Sequence, residues 1–509
     1  MSAESPIYKF MNATVISILF LVLTVSCFSQ EPVAPLKKNE FNKATSYNEL
    51  TTFVQQLDAQ SDLLHVELIG QSVQKRNLYA LTFSSTEFGK DPLKIKVLVF
   101  AQQHGNEQSG KEGALLLAKE LLNPENRYLF DKIDFALVPQ VNPDGSEVNK
   151  RRNANNMDLN RNHLILTEPE TKAVHDFFDK HLFEVTMDVH EYSPYGEDWI
   201  KYGYRKNADV TVGTTTNLNV SSKIREVSGK NYLPFVLKYL SDRKFSSFVY
   251  CPGGPPEIDY IRHSTFDIND GRQSLGIQNT FSFIQEGLNG KDGYVENLQH
   301  RAEGQMTGMR GLLEYVYLNK DMVKDLVTTE RIKMVAAGPG EDVSIQSVHV
   351  GNGQKLILPL LSYFSGNDTV VTVYDYRPEV KSLLDIKKPV GYLIPRELTT
   401  LVEWAESQSL KPVQFKISST FKAEQYFINK IDSIDFEGDR TVDPWIVVQN
   451  CKENFPDSAY FFISTAQLKG NMVVLALEPK SMVGLITYTH YANLLKHGEV
   501  FPILRVIAK

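Results

Sequence analysis

Residues 95–107 read IKVLVFAQQHGNE: an apolar run broken only by Lys96, then a polar turn carrying His104 and Glu107 three apart. A short apolar run closed by turn residues marks a strand buried on both faces. The layout recurs three times. KIDFALVPQV (132–141) ends before Asn142, FEVTMDV (183–189) before His190, and NTFSFIQ (279–285) before Glu286. Between the runs lie stretches of helical periodicity, QSGKEGALLLAKELL (108–122) and EPETKAVHDFFDKHL (168–182), the second with Thr167 and Glu170 as a capping box. The alternation predicts an α/β fold, a mixed, largely parallel sheet flanked by helices. Such sheets bind ligands beyond the carboxyl ends of their strands, where His104, Asn142, His190 and Glu286 fall.

Outward from this core, YNELTTFVQQLDAQ (47–60) has a helical pattern with Ser46 as N-cap, and HVELIGQS (65–72) and NLYALTFSS (77–85) alternate like strands. The segment YVENLQHRAEGQMTGMRGLLEYVYL (294–318) is a long helix. Past residue 325 the texture becomes strand-like, in VSIQSVHV (343–350), QKLILPLLSYF (354–364), DTVVTVYDY (368–376) and MVVLALE (472–478), with helical RELTTLVEWAES (396–407) between. The expected organisation is an α/β domain over 46–320 and a smaller, mostly β domain over 330–509. Residues 30–45, polar with two prolines, read as a linker. At the N-terminus, Lys9 precedes the apolar run ISILFLVL (16–23), and small residues follow. That is a signal-peptide layout, predicted to cover 1–29 and to make the protein exported, secreted or periplasmic. The run is shorter than the roughly 20 residues of a spanning helix, so no membrane span is expected in the mature chain. TVSC before Phe28 lacks the aliphatic residue of a lipoprotein box, which disfavours a lipid anchor at Cys27.

The 509 residues, 42% apolar and 23% charged, fit a folded chain of about two domains. A net charge of −7 with dispersed Lys and Arg excludes the clustered basic face of a nucleic-acid partner. Past the signal only Cys251 and Cys451 remain, with no CxxC, so a thiolate zinc site is excluded and the pairing of the two is left open.

The chemistry is carried by polar residues at the strand ends. An imidazole and a carboxylate as close as His104 and Glu107 can chelate one Zn²⁺, and His190 supplies a third ligand from another strand, leaving a position for water. HxxE alone is weak. RRNANNMDLNRN (151–162) after the NPDG turn (142–145) concentrates Arg151, Arg152, Asn160 and Arg161, a set suited to carboxylates and oxyanions. Glu286 at the end of an apolar strand is poorly solvated, as a general base beside a metal must be.

Taken together and in this order, HGNE, NPDG, RRNANNMDLNRN, MDVHEY and FSFIQEG resemble the zinc metallocarboxypeptidases, the relatives of carboxypeptidase A, over roughly residues 46–320. The resemblance implies one Zn²⁺ per chain held by His104, Glu107 and His190, with Glu286 as catalytic base. It implies Arg151 as the group that polarises the scissile carbonyl, and Asn160 and Arg161 as the pair that grips a terminal carboxylate. The substrate is then a peptide with a free C-terminus. Asn106 stands where pancreatic-type members have an arginine. The family's active-site tyrosine is harder to place: Tyr250 in YCPGGPPEIDY fits the local pattern, Tyr260 is its rival, and Arg272 is a further carboxylate contact. Residues 391–408 and 476–506 resemble a C-terminal domain appended to some bacterial members, which implies no chemistry. Two other readings stay open: a zinc-dependent amidase or deacylase on the same scaffold, and a non-catalytic binding protein.

Overall fold

In the computed structural model, residues 31–414, 421–451 and 459–508 are described; the signal peptide expected over 1–29, with Cys27, lies outside them. The strands begin with β1 (Leu64–Gln71), β2 (Asn77–Phe83), β3 (Ile95–Ala101), β4 (Ile133–Val138), β5 (Val185–Tyr192), β6 (Tyr204–Lys206), β7 (Val210–Thr214), β8 (Ser247–Val249), β9 (Ile261–Arg262) and β10 (Phe281–Leu288). Eight of them form one sheet in the order β1-β2-β4-β3-β5-β10-β7-β8. Its centre, β4-β3-β5-β10, is parallel, and the β1–β2, β2–β4 and β10–β7 pairs are antiparallel. The apolar runs are the buried strands they were expected to be: every residue of β4 is buried, as are the first seven of β5 and of β10. Both strands run two residues past His190 and Glu286, because the ladder continues in register to Tyr192 and Leu288.

Helices 108–121 and 298–318 cover one face, where Phe281, Phe283, Met187 and Val189 join Leu115, Met309 and Leu312 in the main core. Helix 169–181 covers the other through Val174, Phe177 and Phe178. Ser46 caps helix 47–58 in a full capping box with Glu49. The second expected box does not form: the helix starts at Pro169 after Glu168, and the Thr167 hydroxyl accepts from Asn162 Nδ2. Proline fits the first helical position because it lacks an N–H to satisfy there.

Residues 34–45 are not a linker. They hold a helical turn, Pro35–Lys38, and bury Ala34, Leu36 and Ala44 in the main core. The C-terminal region holds β11 (Asp342–Val350), β12 (Leu356–Ser362), β13 (Asp368–Val373) and a six-stranded sheet that includes Gly391–Pro395, Lys422–Lys430 and Leu504–Ala508. It is mostly β, as expected, except that MVVLALE, read as a strand, lies in a buried helix, Gly470–Leu477, and no packing boundary separates the region at 320–330: helix 320–336 crosses that point and the described residues from 34 onward form one compact unit. Trp404, Tyr392 and Leu475 share a core with Leu164, Ile165, Phe266 and Ile277, and Trp404 Nε1 donates to Leu164 O at 2.9 Å. Strand β12 pairs with β6. No helix among the described residues is long and apolar enough to cross a membrane.

Candidate metal centre and catalytic site

The parallel register of β5 and β10 sets His190 directly beside Glu286, and antiparallel β7 sets Thr211 on the other side of Glu286. Residues in register share a face, so the three form one row across the sheet. His104 and Glu107 reach the row from the turn after β3. That turn packs on the NPDG turn, which forms a short helix at 143–147 capped by Asn142. Gly105 is required at the contact: a Cβ there would lie 2.2 Å from Gly145 C and 2.5 Å from Lys150 O.

Donor atoms of His104, Glu107 and His190, all buried, lie within 4.8 Å of one another. The Nδ1 of His104 is 2.7 Å from Glu107 Oε1, that of His190 is 3.0 Å from Oε2, and the two Nδ1 atoms are 3.1 Å apart. The outward nitrogens face carboxylates, His104 Nε2 at 3.1 Å from Asp158 Oδ1 and His190 Nε2 at 2.9 Å from Asp188 Oδ1, the latter too oblique for a hydrogen bond. Carboxylates there hold the ring protons on Nε2 and turn both Nδ1 lone pairs inward. Two imidazole lone pairs and a carboxylate, buried and converging, need a cation between them, and a nitrogen–nitrogen–oxygen set of this kind suits Zn²⁺. Burial opposes charge on His190, but Asp188 and Glu107 outweigh it and hold its pKa well above the ordinary imidazole value. The field of the site favours positive charge there.

Sequence reasoning missed the layer beneath. Gln103 Nε2 donates to both oxygens of Asp188 at 2.9 and 2.8 Å, its Oε1 accepts from His163 Nε2 at 2.7 Å, and His163 Nδ1 is 2.9 Å from His175 Nε2. The chain orders itself: His163 donates to Gln103, so its Nδ1 must accept from His175. Burial keeps both rings neutral, His163 down to about 4 and His175 well below the ordinary value. Neither reaches the metal centre. Asp188 carried a readable signal, since two positions before His190 on a strand is the same face.

Glu286 stands beside His190 at 8% exposure, and burial pushes its carboxyl up to about 7. The half-exposed Arg151 leans over the site: its Nε and Nη2 meet Asp158 Oδ2 at 3.0 Å, and Nη1 is 3.5 Å from Glu107 Oε1. Asn160 accepts at its Oδ1 from Gly271 N at 2.9 Å and from Gln103 Nε2 at 3.4 Å, so its amide NH2 is not what holds it in place. Arg161 bonds the Asn160 carbonyl at 2.8 Å, and among the described residues no carboxylate lies within ion-pair distance of it. It is exposed to solvent yet recessed in the protein, a cleft position. Burial would lower its pKa, but Asp267, Asp158 and Asp270 hold it up. Arg272 differs, for it is buried and already engaged with Ser264, Thr265 and Asp270. Tyr250 has the Arg272 guanidinium 5.9 Å from its ring, and burial, with the charge of Glu286, raises its phenol's pKa. Tyr260 instead stacks under Arg377 at 3.9 Å. Asn106 keeps its Oδ1 buried without a partner. No disulfide joins Cys251 to Cys451.

A family model described as zinc carboxypeptidase matches residues 50–232, from the first helix past His190. Carboxypeptidase 2 of Trichophyton rubrum is 22% identical over 447 residues, 84% of this chain and 80% of its own. Mouse carboxypeptidase M is 31% identical over 156 residues, 26% of this chain and 34% of its own. Among solved structures, a metallo-carboxypeptidase from Burkholderia cenocepacia is 22% identical with a TM-score of 0.42, covering 54% of this chain and 70% of that one. Motifs in family order, a buried histidine–glutamate–histidine cluster and these sequence matches together support a zinc metallocarboxypeptidase, with the family model matched over residues 50–232.

Proposed function

We propose that the protein removes C-terminal residues from peptides, with one Zn²⁺ per chain held by His104, Glu107 and His190. The convergence of two imidazole lone pairs and a buried carboxylate carries the metal assignment. Zinc in such a site acidifies a water and polarises a carbonyl. The chain's own groups do the rest. Glu286, with a carboxyl near neutrality, takes the proton of the attacking water and returns it to the departing amine. Arg151, held by Asp158, offers its guanidinium to the oxygen of the scissile carbonyl as charge develops there. Arg161 and the Asn160 amide hold the terminal carboxylate; that no carboxylate among the described residues pairs with Arg161 supports this role. Tyr250 is the active-site tyrosine, because the charge of Glu286 acts on its phenol whereas the Tyr260 ring is taken up by Arg377. Arg272 positions Asp270 rather than touching substrate. The apolar run 16–23 supports export.

Peptides with a free C-terminus and the same peptides as C-terminal amides separate exopeptidase from amidase or endopeptidase action, read by mass spectrometry. An arginine–carboxylate contact in a partly dry site contributes roughly 1.5–3 kcal/mol. The amides should therefore be cut at least about tenfold less efficiently. Equal rates would reject carboxypeptidase action.

A further inference from the structure

A cavity of about 200 Å³, far above the roughly 10–15 Å³ that admits one water, opens beside Glu286. Tyr192, Trp199, Thr211, Phe248, Tyr250 and Leu358 wall it. Thr211 is the cross-strand neighbour of Glu286, so the cavity begins one strand away from the reacting row. Its position along that face is fixed by its neighbours. The carboxylate clamp lies toward the N-terminal ends of β5 and β10: Asn160 holds Gly271 N, and a Cβ on Gly271 would be 2.5 Å from Asp188 Oδ2, one same-face step before His190. Tyr192 in the cavity wall is one same-face step after His190. A peptide with its terminal carboxylate at Arg161 and its scissile carbonyl at the row therefore runs on toward the cavity with its amino side.

One group in this mostly apolar space is out of character. Lys206 lines it, donating from Nζ to Cys251 O at 2.6 Å with the ammonium 5.2 Å from the Trp199 ring. Its stem keeps some accessible surface, as a cavity-lining side chain does, while the ammonium is enclosed. No carboxylate of the described residues forms an ion pair with it, and the neighbouring Cys251 thiol is kept neutral by burial, which pushes it up to about 12. Burial likewise draws Lys206 down to about 8; the Glu286 carboxylate acts on it only from beyond ion-pair distance, so no anion touches the enclosed charge. A buried cation without an anion is costly, and an anion that enters beside it is bound strongly for the same reason. Strand β6, which carries Lys206, pairs with β12, and Leu358 and Pro359 of β12 form part of the wall, so the C-terminal region helps build this space.

Resting on the carboxypeptidase reading, we propose that this cavity receives the side chain of the penultimate substrate residue and that Lys206 selects an acidic one there. The test is a series of free-acid peptides with one terminal residue throughout and Glu, Gln, Leu or Lys in the penultimate position, assayed on the zinc-loaded full chain. The wild-type protein should release the terminal residue from the Glu peptide at least about tenfold more efficiently than from its Gln isostere, with Lys the poorest. Lys206→Met should bring the Glu/Gln ratio close to one. Equal wild-type kcat/KM for Glu and Gln would overturn the subsite, whether or not the variant folds, and so would a ratio unchanged by Lys206→Met. Cleavage of all four at one rate would leave carboxypeptidase action standing without the subsite. No terminal release from any of them would overturn the carboxypeptidase reading and the subsite with it.

Discussion

Glu286→Gln keeps the shape of the side chain and removes its charge, so it tests catalysis and stability at once. In the folded protein the Glu286 carboxyl titrates at about 7, against 4.5 for an ordinary glutamate. Below the lower value both folded and unfolded chains hold the proton, and the residue costs nothing. As pH rises from the lower to the upper value the unfolded chain ionises first, and stability drains away. Above about 7 the loss is complete, on the order of 3 kcal/mol for a shift of this size. The amide that replaces the carboxyl does not titrate. The metal-free variant should therefore match wild type near pH 4.5 and exceed it progressively up to pH 8, read as the gap between thermal midpoints across that range. Zinc should shrink the gap, because a cation beside the carboxylate lowers its pKa. In the zinc-loaded enzyme the same substitution should cut kcat by at least the ~10²-fold typical of a lost general base. A midpoint gap that does not change with pH would refute the account of burial, and near-normal turnover would refute the role of base.

Two further outcomes follow. His104→Ala or His190→Ala should lose stoichiometric zinc in metal analysis, and Asp188→Asn should weaken it about 10–100-fold in chelator competition, the scale usual for partners that orient a ligand; His181→Ala should leave it bound. Trp404→Ala should cost about 3–5 kcal/mol and lower one cooperative thermal transition; two transitions, only one of them shifted, would contradict the shared core.

The sheet and the metal centre could be read from the chain because their signals are local. Buried parallel strands write themselves as apolar runs, and each chemistry-bearing residue follows one: His104 after 95–101, His190 after 183–189, Glu286 after 279–285. Roles that depend on side chains distant in sequence could not be read. Gln103 and His163 look like an ordinary turn residue and a stray histidine until the fold brings them under Asp188. The Thr167 box failed because Asn162, five residues away, competes for the hydroxyl. The linker reading of 30–45 failed because it weighed Pro32, Pro35 and the polar residues around them above Ala34, Leu36 and Ala44, which pack on the core. The C-terminal boundary failed for a related reason: a change of texture at 325 marks a change of secondary structure, and says nothing of whether Trp404 will reach back to Leu164.

The register of β10 against its neighbours is what the catalytic arrangement depends on, and the opposite face of the sheet enforces it. Slipping the strand by one residue would turn Glu286 away from His190 and into the core. That core has no room for it. Gln285, the residue on the other face, donates from Nε2 to both O and Oε1 of Gln305 at 3.0 and 2.7 Å, and Gln305 Nε2 in turn donates to His190 O at 2.7 Å. Helix 298–318 can approach this closely only because Gly308 faces Gln285: a Cβ there would come within 2.0 Å of Gln285 Oε1. The glutamine pair thus ties the backbone of the metal-binding strand to the strand that carries the base through one helix. The relative position of His190 and Glu286 is fixed from behind, by amides that touch neither metal nor substrate. A change at Gly308 should then disturb turnover by displacing Glu286 relative to His190, although it lies on the far side of the sheet from both.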